Sequence, residues 1–191
     1  MVDIACGTCT GVSYDLKRID WPCTLILTDL SHRVQKYNHR WFTQEVVNPH
    51  VDILYLACDC TNLPIGEDSI DVVLSYAGYE SMGVDMLRGF QESFRVQKPS
   101  GHALYSMSVV EDLQAKETKK WLQLYHQIPW IPEDEKVYDI KEWKELCSQV
   151  GFRNTSSTLI YKEMPAPASD TFPFGNEVMQ WMAEIQCDSQ K

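Results

Sequence analysis

The chain has 191 residues, enough for one domain with a sizeable core and too few for two ordinary domains plus a linker. Hydrophobic residues make up 44% and charged residues 23%, which are globular values; with no bilayer-length apolar run and no signal-like start, a cytoplasmic protein without membrane partners is expected. The net charge of -10 argues against nucleic acid held through its phosphates, and seven unevenly spaced cysteines fit reduced thiols better than a disulfide framework.

In chain order, residues 2–5 read as a short buried strand and 11–19 as a helix. A strand over 24–28 and a helix over 31–47 follow, then a strand over 53–57. Gly66-Glu-Asp-Ser69 predicts a turn before a strand over 70–76, and a helix is expected over 85–96. Lys98-Pro-Ser-Gly101 predicts a turn before a strand over 103–108, which a helix over 111–126 follows. Strands alternating with helices at this spacing imply βαβ units: a doubly wound α/β domain, mainly parallel, with helices on both faces.

The last third is less regular. Prolines make residues 128–135 a loop or a covering segment, and a helix starting at Asp139 or Ile140 runs to Val150 and ends at Gly151. Trp143, Leu146, Cys147 and Val150 fall on one face of that helix. A strand is expected over 158–162 and a proline-punctuated connection over 164–174. Residues 177–186 then read as a helix with Val178, Trp181, Met182 and Ile185 in helical register. That stripe is expected to pack on the domain, with a homodimer contact or a substrate lid as the lesser readings.

In an open parallel sheet, ligands sit beyond the carboxyl ends of the strands, so the loops there are where chemistry is sought. The first carries Ala5-Cys-Gly-Thr-Cys-Thr-Gly11, whose small residues let backbone approach a ligand closely. Asp29 follows the second strand, 18 residues beyond Gly11, close to the spacing at which a carboxylate meets ribose hydroxyls. Asp59 follows the third, where it can accept from an adenine amino group. Each aspartate alone would more often be a turn or helix cap, but three loops together point at one adenosine.

Four stretches carry a family resemblance. Val2-Asp-Ile-Ala-Cys-Gly-Thr-Cys-Thr-Gly11 resembles the first motif of class I S-adenosylmethionine-dependent methyltransferases, and Leu27-Thr-Asp-Leu-Ser31 their second. Cys58-Asp-Cys-Thr-Asn-Leu-Pro-Ile-Gly-Glu-Asp-Ser-Ile-Asp-Val-Val-Leu-Ser75 is similar to the family's Leu-Pro and Phe-Asp-Val-Val stretch. Phe94-Arg-Val-Gln-Lys-Pro-Ser-Gly-His-Ala-Leu-Tyr105 is similar to its Arg-Val-Leu-Lys-Pro-Gly-Gly run. The match covers about residues 2–108, and its order and spacing are far more specific than any one motif.

The resemblance implies a Rossmann-like methyltransferase fold over residues 1–191, with a cofactor-binding core at 1–108 and variable substrate-side and C-terminal elements at 109–191. It implies S-adenosyl-L-methionine as cofactor; the aromatic content of the covering segments, Trp121, Tyr125, Trp130 and Tyr138, leads to a small-molecule acceptor as the expected partner. Asp3, Ala5, Gly7 and Gly11 would surround the methionine part, with Cys6 and Cys9 of the same loop also at the cofactor; Asp29 would hold the ribose and Leu30 pack on adenine. Asp59 and Cys60 would meet the adenine edge, and Ser75 and Tyr76 would lie near the amino acid group or sulfonium. Tyr79 and Glu80 would face substrate, Glu80 being the nearest candidate for a general base.

Two departures stand out. Cys9 occupies a place where the family usually has glycine, and the chain begins at the first strand, where the family normally carries preceding helices that cover the cofactor. An open site is therefore expected, with an inactive cofactor-binding interaction protein as the alternative. A rival from another class reads Cys6-Gly-Thr-Cys9 as a redox pair, or with Cys58 and Cys60 as a zinc site. The Gly-x-Gly-x-x-Gly of nicotinamide binding fails, since Cys9 and Val12 stand where it needs glycines.

Overall fold

A computed structural model of the chain describes residues 1–45, 47–110, 113–125, 137–162 and 180–189. Its first half alternates β1 (Val2–Asp3), α1 (Thr10–Leu16), β2 (Cys23–Asp29), α2 (His32–Glu45), β3 (Val51–Ala57), β4 (Ile70–Tyr76), a 3-10 segment (Tyr79–Asp85), α3 (Met86–Val96) and β5 (Gln97–Val109). Next come α4 (Lys116–Tyr125), α5 (Ile140–Val150), β6 (Phe152–Lys162) and β7 (Gln180–Ser189). These build a seven-stranded sheet in the order β3-β2-β1-β4-β5-β7-β6. The β1 to β5 pairings are parallel, and β7 runs antiparallel between β5 and β6. This is the doubly wound, mainly parallel fold that the alternation predicts. No described helix is long and apolar enough to cross a membrane.

A parallel sheet covered on both faces needs apolar side chains on both, and the strands supply them in alternation. Leu25 and Leu27 of β2, with Leu74 of β4, pack with Val12 and Leu16 of α1 and Phe42 of α2. Val2, Val73, Ala103, Tyr105 and Met107 pack on the other face with Phe90 of α3 and Trp143 and Cys147 of α5. Leu146 and Val150 join this second core, so the apolar face expected of α5 is the one that it buries. Asp139 caps α5 through a capping box with Glu142, and Gly151 closes it at φ 115°.

Three expectations change. Residues 177–186 were expected as a helix; from Gln180 onward the chain is instead β7, paired with both β5 and β6. Cys187 and Ser189 are buried while Gln186 is exposed, the period of two of a strand. Trp181 and Ile185 stand four apart, which fits one helical turn and two strand repeats equally. Two sheet edges needing partners decide for the strand. The helical stripe offered as a dimer contact or lid is thus not a helix face.

The Lys98 to Gly101 turn is absorbed into β5, with Ser100 at φ 64° and an irregular register between Ile70 and Val72. β6 begins at Phe152, earlier than expected, with Asn154 at φ 51° inside a register shift. The loops expected over 128–135 and 164–174 lie outside the described residues.

Candidate functional site

The chain leaves β1 in one direction to build β2 and β3, then returns past β1 to build β4 and β5. The crevice at the carboxyl ends of β1 and β4 is therefore the switch point at which open α/β sheets take ligands. A pocket of about 370 Å³ opens there. Asp3, residues 5–11, Asp29, Tyr76, Ala77 and Gly78 line it.

The β1 loop is shaped by left-handed residues at alternate positions: Ala5 at φ 53°, Gly7 at 51° and Cys9 at 57°. Cys9 adopts the conformation that a glycine would take freely, at a cost of roughly 1–2 kcal/mol for an L-residue. Polar contacts hold the loop against that strain. Gly7 N donates to Asp29 Oδ2 at 3.0 Å, and Asn38 Nδ2 of α2 donates to Gly7 O at 2.8 Å. Asp29 Oδ1 also accepts from Ser31 N at 2.8 Å, so this carboxylate caps the next turn while it holds the pocket rim.

Two close approaches shape the far wall. A Cβ on Gly11 would stand 2.5 Å from Cγ of Tyr76, so the phenol ring lies directly against the glycine. Tyr76 hydroxyl donates to Asp15 of α1. A Cβ on Gly78 would meet the carbonyls of Ile4 and Ala5, each at 2.7 Å, where the β4 loop crosses the end of β1.

Asp3 is the electrostatic centre of the site. It is 1% exposed, and its Oδ1 has no hydrogen-bond partner among the described residues. Burial, reinforced by the Asp15 and Asp29 carboxylates, holds its carboxyl well above the usual carboxylate range. Lys and Arg are absent from the described lining, whose ionisable carboxyls are Asp3 and Asp29.

Of the residues singled out from sequence, Asp3, Ala5, Cys6, Gly7, Cys9, Gly11, Asp29 and Tyr76 come together in this lining. Leu30, 79% exposed, and Asp59, fully exposed, stand outside it. Asp59 Oδ1 accepts from Thr61 N and Thr61 Oγ1, both at 2.8 Å, and these bonds lower its pKa. Cys60 Sγ contacts Met82 Sδ at 3.5 Å, and Ser75 Oγ is turned to Ile4 O at 2.9 Å.

Tyr79 is wholly buried beside Phe90 and Tyr105. Its hydroxyl bonds Ser93, and burial pushes its phenol up, so it is a core residue that does not face the pocket. Glu80 follows on the 3-10 segment, half-buried. The described residues hold no cluster of three or more His, Cys, Asp or Glu arranged for a metal ion.

Sequence reading missed Asn38, Gln35, Asp15 and Gly78. The one local signal was polar residues on the inward face of α2, where Gln35 and Asn38 are buried with Phe42. The loop at 61–65 is held by a fork that was also missed: Arg95 donates to Leu63 O and Ile65 O, each at 2.9 Å. Glu92 pairs with Arg95 and accepts from Leu63 N at 2.7 Å.

Residues 2–105 match the family model described as a methyltransferase domain. The chain belongs to this methyltransferase family. S-adenosylmethionine is the cofactor of the class. Solved structures agree on the fold. A SAM-dependent methyltransferase from Methanosarcina mazei is 15% identical with a TM-score of 0.71, covering 98% of this chain and 91% of its own. A geranyl diphosphate methyltransferase in complex with SAM is 15% identical, TM-score 0.69, over 98% and 76% of the two chains. The cyclase SpnF is 14% identical, TM-score 0.72, over 98% and 73%. No curated protein matches the chain significantly. At such identities the structures speak for the methyltransferase architecture alone.

Proposed function

We propose that this methyltransferase moves a methyl group from S-adenosylmethionine to a small-molecule acceptor, with the cofactor lying across the carboxyl ends of β1 to β4. One observation carries the reading: the buried Oδ1 of Asp3, without a hydrogen-bond partner among the described residues, in the wall of the switch-point pocket. A buried carboxylate oxygen without a donor costs about 1–3 kcal/mol or more, and a ligand ammonium removes that cost. The bound cofactor supplies a sulfonium whose methyl group is open to in-line attack.

The chain's share is binding, orientation and exclusion of water. Asp3 would hold the ammonium end, and the small residues from Ala5 to Gly11 would let the backbone close on it. Asp29 has a spare lone pair on each oxygen for ribose hydroxyls after accepting from Gly7 and Ser31. Cys58 N donates to Asp29 O at 2.9 Å, which ties the start of the loop carrying Asp59 and Cys60 to the end of β2; both would serve the adenine edge, with exposed Leu30 as its apolar platform. The Tyr76 ring, pressed on Gly11, would offer its face to the sulfonium. Ser75 acts one step back, holding the β1 loop through Ile4 O. Glu80 would be the candidate to take a proton from the acceptor where one must leave.

Calorimetric titration with S-adenosylhomocysteine tests the reading. Stoichiometric binding, followed by transfer of labelled methyl groups to a member of a small-molecule acceptor pool, is expected. Absence of binding heat overturns it. Glu80→Gln is expected to lower turnover while keeping cofactor affinity; unchanged turnover removes Glu80 from the mechanism.

A further inference from the structure

Methyl transfer uses the backbone of Cys6-Gly-Thr-Cys9 and leaves its two thiols idle. Cys9 N donates to Cys6 O at 2.8 Å, closing a four-residue turn with Gly7 at φ 51° in its second position. Such a turn keeps its end Cα atoms within about 7 Å, and a disulfide spans Cα atoms about 4.4–6.8 Å apart.

The side chains converge as well. Both thiols donate to Gly7 O, Cys6 Sγ at 3.6 Å and Cys9 Sγ at 3.7 Å, and Asn38 Nδ2 donates to both sulfurs, at 3.6 Å to Cys6 and 3.1 Å to Cys9. Gln35 Nε2 reaches Cys6 Sγ at 3.7 Å. The pair is asymmetric in access: Cys6 is half-buried on the pocket wall, whereas Cys9 is 2% exposed.

We propose that Cys6 and Cys9 form a thiol–disulfide couple set in the wall of the pocket, with small-molecule disulfides as its oxidant. Cys6, as thiolate, attacks one sulfur of the small disulfide; a bond forms to Cys6 Sγ and one small thiolate leaves. Cys9 then gives its proton to the small thiolate released in the first step and attacks Cys6 Sγ, and the second small thiolate leaves. Two cysteine thiols are oxidised to one disulfide, and one small disulfide is reduced to two thiols. Cys6 is the more open of the two thiols on the pocket wall, which makes it the first nucleophile and buried Cys9 the resolving thiol.

The test is incubation of the full chain with oxidised glutathione at about pH 8, near the ordinary thiol pKa, with pairing read by mass spectrometry of unreduced peptides. A Cys6–Cys9 bridge that dithiothreitol reverses is the expected product, and Cys9→Ser is expected to stop at a glutathione adduct on Cys6. Free thiols at Cys6 and Cys9 at the end of the incubation, or a glutathione adduct persisting on Cys6 of the unmutated chain, overturn the proposal. The decisive reading is made on the unmutated chain, so it does not depend on the variant folding. Because no cofactor is added, loss of the bridge and loss of cofactor binding are separate results.

Discussion

Asp3 sets folding against binding. Its carboxyl is buried with Asp15 and Asp29 nearby, and the folded chain therefore holds its proton more tightly than the unfolded chain does. Between the ordinary carboxylate pKa and this raised value the folded state binds more protons, so Asp3's contribution to stability declines as pH rises across that window. Asp3→Asn is expected to remove that decline, giving a higher melting temperature than the unmutated chain at pH 8 and a smaller difference at pH 5. The same change is expected to weaken S-adenosylhomocysteine roughly 10- to 100-fold, the loss of a charge-assisted hydrogen bond of about 1.5–3 kcal/mol. Melting curves and calorimetry at the two pH values check both halves; an unchanged affinity would remove Asp3 from the site. The sequence placed Asp3 at the end of a strand before a loop of small residues, and that much was legible. Asn38, which grips the same loop from α2, was not, because its 31-residue separation from Gly7 exists only once α2 has docked.

At the scale of elements, the join between β1 and α1 depends on the join between β4 and the 3-10 segment. Gly11 opens α1 under the ring of Tyr76, and the atom that an added methyl would meet is the ring carbon nearest the Tyr76 backbone, which cannot swing away. Gly11→Ala is expected to cost about 1–3 kcal/mol as an overpacked contact. In the double variant Gly11→Ala with Tyr76→Ala most of that cost should vanish. Urea unfolding of the four proteins gives the coupling; costs that add within about 0.5 kcal/mol would show that the ring does not press on the helix start. Gly11 was legible as a loop glycine. Its reason was not, since it lies in a residue 65 positions downstream.

At the scale of the molecule, β7 joins the two halves of the chain. It pairs with β5 from the N-terminal half and with β6 from the C-terminal half, and Cys187 reaches the core that Phe90, Trp143 and Phe152 share. Deleting residues 180–189 would leave β5 and β6 as facing edges without a strand between them. The truncated chain is expected to lose its cooperative thermal transition and to bind hydrophobic dye; a sharp transition retained in calorimetry would show that β7 is dispensable.

The sequence by itself determined the alternation of strands and helices through β5, the parallel sheet, the glycine-bearing loop after β1 and the acidic ends of β1 and β2. Those follow from short-range periodicity and from turn chemistry, which act within a few residues. Tertiary structure decided that Gln180–Ser189 is a strand, that Tyr79 belongs to the core, and that Asp59 is exposed on a turn. The first two depend on partners far away in the chain, whereas the Asp59 turn is held locally by Thr61. Local preference amounts to tenths of a kcal/mol per residue, and two waiting sheet edges or a buried aromatic cluster outweigh it.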